Sequence, residues 1–176
     1  GVLIEEGHYL QSPDQVRLVQ GAAASLVRLQ KEGYLRIVVT NQSGVARGYF
    51  TEDAVADVHR RIDELLAAEG AAVDAYYYCP HHVDGTVRPH DRQCDCRKPE
   101  PGMILAAAAD HGIDLAASFL IGDKLSDVQA ALRAGCAPFL VATGHGHEHI
   151  EVCGELGVAV VADIGAAVDD FLSRCS

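Results

Sequence analysis

No run of about 18 uncharged apolar residues occurs anywhere in the chain, so no membrane-spanning helix is expected. A basic-then-apolar leader is also missing, and the chain as it stands is read as carrying no secretory signal. Positive charge is scarce. Fourteen Lys and Arg stand against 25 Asp and Glu, for a net charge of −11. That balance argues against nucleic acid or an anionic membrane as the main partner. It leaves room for an anionic metabolite, because a small site can be locally positive within an acidic protein. Internal repeats, low-complexity tracts and linkers are absent as well, so residues 1–176 read as one domain. A chain of this length can bury roughly 70% of the surface it exposes when unfolded. Its 49% apolar and 22% charged residues are those of an ordinary globular protein.

Six cysteines are present, and they could be read as three disulfides. A Cys-x-Cys pair bonds poorly to itself, however, and a chain this size does not need staples. Metal binding and free thiols fit better, which implies a reducing cytosol. The stretch CPHHVDGTVRPHDRQCDCRK, residues 79–98, concentrates this chemistry. Cys79, His81, Cys94 and Cys96 supply three thiolates and one imidazole, the closed tetrahedral set of structural zinc. With four positions filled there is no site for a reactive water. His82 and His90 lie in the same loop and could take the place of His81.

Strand and helix signals alternate along the rest of the chain. Residues 22–32 have apolar positions at helical spacing and stop at Gly33. Residues 35–40 form a short β-branched run, Thr51 can cap a helix to Glu69, and residues 75–79 read as the next strand. Pro101 opens a helix to about His111. Strands follow over 118–122, 138–142 and 158–161, and helices over 126–134 and 164–173. The first 21 residues read as loop, with a turn at Ser12-Pro13-Asp14. This order predicts an α/β fold, a Rossmann-like three-layer sandwich around a central, mostly parallel sheet. The loops are too short for a cap domain.

In such sheets ligands sit at the carboxyl ends of the strands, and three polar clusters fall there. TNQSG offers the Thr40 hydroxyl and, from Asn41 on, backbone N–H groups that can surround an anion, with Gly44 and Gly48 permitting close approach. RKP places Arg97 and Lys98 directly after the cysteine loop. GDKLSD supplies Asp123, a carboxylate able to bind a hard cation such as Mg²⁺. Lys124 can touch substrate, and Asp127, one helical turn on, can orient Lys124 or a metal-bound water. A hydroxyl, two lysines, an arginine and a Mg²⁺ carboxylate at one sheet edge describe a site for phosphoryl transfer. No Walker loop is present, and no nucleophile stands beside an activating base.

The segments VVTNQSGVARGYF, YYYCPHHVDGTV, CDCRKPEPGM and IGDKLSDVQAA resemble, in order and spacing, the haloacid-dehalogenase superfamily of phosphatases. The match is to the branch that handles sugar bisphosphates and histidinol phosphate, whose members share a zinc loop. The resemblance implies that Thr40 and Lys98 stabilise the transferring phosphoryl group and that Asp123 binds Mg²⁺. It implies structural zinc on Cys79, His81, Cys94 and Cys96. It further implies substrate contacts from Thr40, Asn41, Gln42, Ser43, Arg97, Lys98 and Lys124, and from the early residues Glu6, Gly7, His8 and Tyr9. The family's nucleophile and acid/base are two aspartates in an Asp-x-Asp-Gly-Thr/Val motif that ends the first strand. Gly1-Val2 looks like the tail of that motif, so both aspartates and their strand are expected just ahead of Gly1. The implied protein is a cytoplasmic, monomeric enzyme acting on a small sugar phosphate, or a catalytically dead protein that only binds one.

Overall fold

In the computed structural model of the chain the described residues are 1–5, 7 and 12–175. The expected substrate contacts Glu6, His8 and Tyr9 lie outside them. Among them run five strands: β1 (Ile37–Asn41), β2 (Ala75–Cys79), β3 (Phe119–Gly122), β4 (Ala137–Val141) and β5 (Ala159–Val161). Seven α-helices accompany them among the described residues: α1 (Ala22–Lys31), α2 (Ser43–Ala46), α3 (Glu52–Ala68), α4 (Gly102–His111), α5 (Leu125–Ala134), α6 (Ile150–Glu155) and α7 (Ile164–Cys175). Every strand pair is parallel, as the helical crossovers require.

The single sheet expected from the sequence is divided in two. β1 pairs with β2, and β3, β4 and β5 form a second set. Strands β1 and β3 face each other across a gap. Gln42 N–H donates to the Cys79 carbonyl at 2.8 Å, so even-numbered positions along β1 address β2. By the two-residue period of a strand, Ile37, Val39 and Asn41 turn their N–H and C=O groups toward the gap.

Side chains cover both faces of the strands in alternation. Phe119 and Ile121 of β3 and Phe139 and Val141 of β4 pack on α7, with Val168 and Phe171. Leu120 and Leu140, one position out of phase, pack on the other side against α5 residues Ala130 and Val128. Helices α1, α3 and α7 thus make one layer and α4, α5 and α6 the other, which is the expected sandwich. Fully buried side chains such as Phe139, Leu140 and Leu66 each contribute about 1.5–3 kcal/mol of burial.

The amino-terminal stretch is more ordered than its turn-rich sequence suggests. Ile4 bridges Leu18 in antiparallel fashion, with Glu5 N–H on the Arg17 carbonyl and Val19 N–H on that of Leu3, each at 2.9 Å. Leu3, Ile4 and Leu18 have apolar cover from Leu26, Ile62 and Leu66, and that burial holds the pairing.

Strand β2 carries three consecutive tyrosines, and each hydroxyl donates to a carboxylate: Tyr76 to Asp63, Tyr77 to Asp110 and Tyr78 to Glu52. His59 of α3 stacks on Tyr76, with ring centroids 4.3 Å apart. Burial lowers the His59 pKa below its ordinary value, and only Asp63 opposes this. Because the folded pKa lies below the unfolded one, the unfolded chain takes up a proton first as pH falls. Stability is therefore full above about pH 6.5 and declines below it, with a slope of at most about 1.4 kcal/mol per pH unit from this residue. His59→Phe is expected to flatten the urea midpoint between pH 5 and 7. An unaltered slope would contradict that assignment.

Candidate active site

The gap between β1 and β3 opens into a cleft of about 810 Å³. Its walls are apolar in the depth, with Val39, Leu120, Ile121 and Ile104, and polar at the carboxyl ends of the strands. All three polar clusters read from the sequence line it. Thr40 and Asn41 end β1 with Gln42 and Ser43 just after it, Arg97 and Lys98 follow the cysteine loop, and Asp123 and Lys124 follow β3. Gly7 lines the cleft as well.

Lys98 is the most tightly held of these groups. Its Nζ donates to the Val39 carbonyl and pairs with Asp127 Oδ1, both at 2.7 Å. The ammonium thus ties the open edge of β1 to the start of α5 across the cleft. Both side chains are nearly out of solvent, 11% and 7% exposed, so the pair is not a surface bridge of negligible strength. Asn41 grips the lysine from behind: its Nδ2 donates to the Lys98 carbonyl at 2.9 Å, and its Oδ1 accepts the Lys98 N–H at 3.0 Å. The Asn41 side-chain amide thus supports Lys98.

Two further expectations change in detail. Asp127 does not orient the Lys124 ammonium. Its Oδ2 accepts the Lys124 backbone N–H at 3.0 Å, capping α5, and its other oxygen serves Lys98. The run of N–H groups after Asn41 is interrupted, since Gln42 N–H is taken by Cys79. Gly44 is small for packing, because a Cβ there would meet the Phe50 ring at 2.2 Å. Thr40 Oγ1 accepts from Gln42 Nε2 at 3.2 Å.

Asp123 stands directly after β3 and is 8% exposed. Its Oδ2 accepts the His145 N–H at 3.2 Å and lies 3.6 Å from the Gly1 nitrogen. A carboxylate buried among small backbone groups at a strand end is a fitting hard-oxygen ligand for Mg²⁺.

The cysteine loop folds back on β2. The sulfurs of Cys79, Cys94 and Cys96 lie 3.5, 3.2 and 3.3 Å from one another, and His81 Nδ1 lies 3.7 Å from Cys79 Sγ and 3.4 Å from Cys96 Sγ. Ligands about 2.3 Å from a tetrahedral centre would be separated by about 3.8 Å, close to these edges. Burial pushes the Cys79 and Cys96 thiols up, reinforced at Cys96 by the neighbouring sulfurs, so three thiolates can coexist here only around a cation. The set fits zinc. The choice of histidine also resolves. His82 Nδ1 accepts the Asp84 N–H at 3.1 Å, and His90 Nε2 pairs with Glu52 at 3.2 Å, which leaves His81 at the sulfurs. The loop then aims Arg97, whose Nη1 donates to the His81 carbonyl at 3.3 Å.

A cleft histidine escaped the sequence reading. His145, after β4, shares the wall with Asp123 and Lys124. The signal available was its place between Gly144 and Gly146 at a strand end.

Comparison with known proteins agrees with this geometry. The family model described as "HAD-hyrolase-like" matches residues 95–167. The D-glycero-beta-D-manno-heptose-1,7-bisphosphate 7-phosphatase of Photorhabdus laumondii is 41% identical over 162 residues, covering 91% of this chain and 86% of its own. The protein of that name in Escherichia coli K12 is 42% identical over 145 residues, 82% of this chain and 76% of its own. A crystal structure of D,D-heptose 1,7-bisphosphate phosphatase from B. bronchiseptica, complexed with magnesium and phosphate, superposes with a TM-score of 0.88 at 36% identity, covering 99% of this chain and 94% of that one. On this similarity and this fold, the chain is a phosphatase, a phosphoric monoester hydrolase, and belongs to the haloacid-dehalogenase-like family of D-glycero-beta-D-manno-heptose-1,7-bisphosphate 7-phosphatases.

Proposed function

We propose that this phosphatase is Mg²⁺-dependent and removes the 7-phosphate of D-glycero-D-manno-heptose 1,7-bisphosphate, in the biosynthesis of nucleotide-activated heptose. The observation that carries the reading is the convergence of Thr40, Arg97, Lys98, Asp123 and Lys124 on one cleft beside a strand-wide gap. A substrate with two phosphates suits several cations in an otherwise acidic protein. The printed names of the relatives support the same substrate.

The gap also suggests how the site is completed. The odd-numbered residues of β1 turn backbone polar groups into it, and buried groups of that kind need partners. An extended segment ahead of Gly1 would supply them. Gly1 itself sits at the catalytic end, its carbonyl accepting from Thr143 Oγ1 at 2.6 Å. At about 3.3 Å per residue, aspartates a few positions upstream would stand within reach of Asp123. The first would attack the phosphorus, forming an aspartyl-phosphate, and the second would protonate the leaving sugar oxygen. The second would then act as base for the water that hydrolyses the intermediate.

The Thr40 hydroxyl and the Lys98 ammonium stabilise charge on the transferring group. Asp123 would hold Mg²⁺, which supplies neutralisation of phosphoryl charge when bound. Arg97 and Lys124 hold the remainder of the substrate, with Gln42, Ser43 and the early segment from Glu6 to Tyr9 as further walls. The zinc is structural, since its four ligands close the site. The reading takes the protein as a single-domain, cytoplasmic monomer. Cys79, Cys94, Cys96, Cys136 and Cys153 form no disulfide, which suits a reducing compartment, and none of the described helices is long and apolar enough to cross a membrane.

The test is a comparison of kcat/KM for the heptose bisphosphate and for histidinol phosphate, using the full-length protein with Mg²⁺ and with EDTA. The bisphosphate is expected to be preferred by about 10²-fold or more, with turnover lost in EDTA. Preference for histidinol phosphate would overturn the substrate assignment, and undiminished turnover in EDTA would overturn the metal.

A further inference from the structure

Thr40 and Gln42 stand two positions apart where β1 runs out, so the extended chain sets both side chains on one side of it. Asn41, between them, is engaged with Lys98. The root of Gln42 is fixed at both of its backbone groups. Its N–H donates to the Cys79 carbonyl at 2.8 Å, and its C=O accepts the Val45 N–H at 3.1 Å. From that root the side chain folds back, and Nε2 donates to Thr40 Oγ1 at 3.2 Å. A hydroxyl has two lone pairs and one hydrogen. Here an amide hydrogen takes one lone pair, which turns the hydroxyl's own hydrogen elsewhere. Among the described residues no acceptor holds that hydrogen. Thr40 and Gln42 both line the cleft, together with Arg97, Lys98 and Lys124.

We infer that Gln42 is a positioning residue: its amide holds the Thr40 hydroxyl as a donor aimed at the phosphoryl group under transfer. The inference rests on the phosphatase reading above and gives Gln42 a role beyond its place in the wall. Ionised phosphoryl oxygens only accept, so a hydroxyl aids their transfer when its hydrogen faces them. Were the amide turned about, Oε1 would draw that hydrogen to itself, and a lone pair would face the phosphate instead. The amide hydrogen also polarises Oγ1, which makes the Thr40 O–H a stronger donor. The effect passes through Thr40 alone.

The test is a double-mutant cycle on the full-length protein with Mg²⁺, reading kcat and KM for the heptose bisphosphate and for p-nitrophenyl phosphate. Thr40→Val is expected to lower kcat about 10²-fold on both substrates. Gln42→Met, similar in length but without a donor, is expected to lower kcat about fivefold on both, with KM unchanged. In the Thr40→Val background the same change is expected to alter kcat by less than about twofold. Gln42→Ala gives the same pattern and serves if methionine packs badly. An equal loss in both backgrounds would overturn the inference, because Gln42 would then act without Thr40. So would a rise in KM for the sugar alone, which marks a contact with substrate, or no loss from either Gln42 variant. Full activity in Thr40→Val would overturn the placing of Thr40 at the phosphoryl group, and the inference with it. A wild-type protein that hydrolyses neither substrate would overturn the phosphatase reading itself.

Discussion

Lys98→Ala is expected to lower kcat by about 10²–10³-fold, the loss typical when a charge-stabilising donor is removed from a transition state. The same change is expected to cost about 3–5 kcal/mol of stability, because it strands the Asp127 carboxylate, which is buried and keeps only its cap to Lys124 N–H. The two effects can be separated. Lys98→Arg keeps a positive charge against Asp127 but replaces a compact ammonium with a planar fork. It is expected to recover most of the urea midpoint while kcat stays low. Phosphate release and urea unfolding on the same preparations check both expectations. Near-normal turnover in Lys98→Ala would remove this lysine from the phosphoryl site.

The second large effect belongs to the cysteine loop. Cys94→Ser leaves two sulfurs and an imidazole where three sulfurs and an imidazole now crowd within hydrogen-bonding range. Bound zinc is expected to fall from one per chain to a small fraction, with a lower melting temperature. A metal present at a thousand times its dissociation constant contributes about 4 kcal/mol, which sets the scale of the loss. KM should rise as well, because Arg97 depends on the loop through the His81 carbonyl. Metal analysis, melting and steady-state kinetics together check this. Zinc loss with unchanged melting would refute the structural role.

Much of this architecture was legible before any coordinates. β2 falls on the expected residues 75–79, and α3 begins after its Thr51 cap, where Ala54 N–H donates to Thr51 Oγ1. Long helices with punctuating glycines and short β-branched runs announce themselves through periodicity. Helices α2 and α6 do not. Four and six residues are too few to show a period, both contain glycine, and neither has a side-chain cap. In the candidate zinc site the cysteine pairs were legible from their spacing, but the choice of His81 over His82 and His90 needed the fold. The partner of Lys98 was not, since Asp127 lies 29 positions away and meets it only through the crossover into α5. His145 was missed for a related reason: a lone histidine carries no motif until the fold sets it beside Asp123.

Which of the two phosphates is released decides the enzyme's function. ³¹P NMR of the full-length protein with D-glycero-D-manno-heptose 1,7-bisphosphate and Mg²⁺ follows both phosphate resonances at once. The predicted result is loss of the 7-phosphate signal, an equal gain of inorganic phosphate and an intact 1-phosphate. Persistence of the 7-phosphate signal, or prior loss of the 1-phosphate, would contradict it.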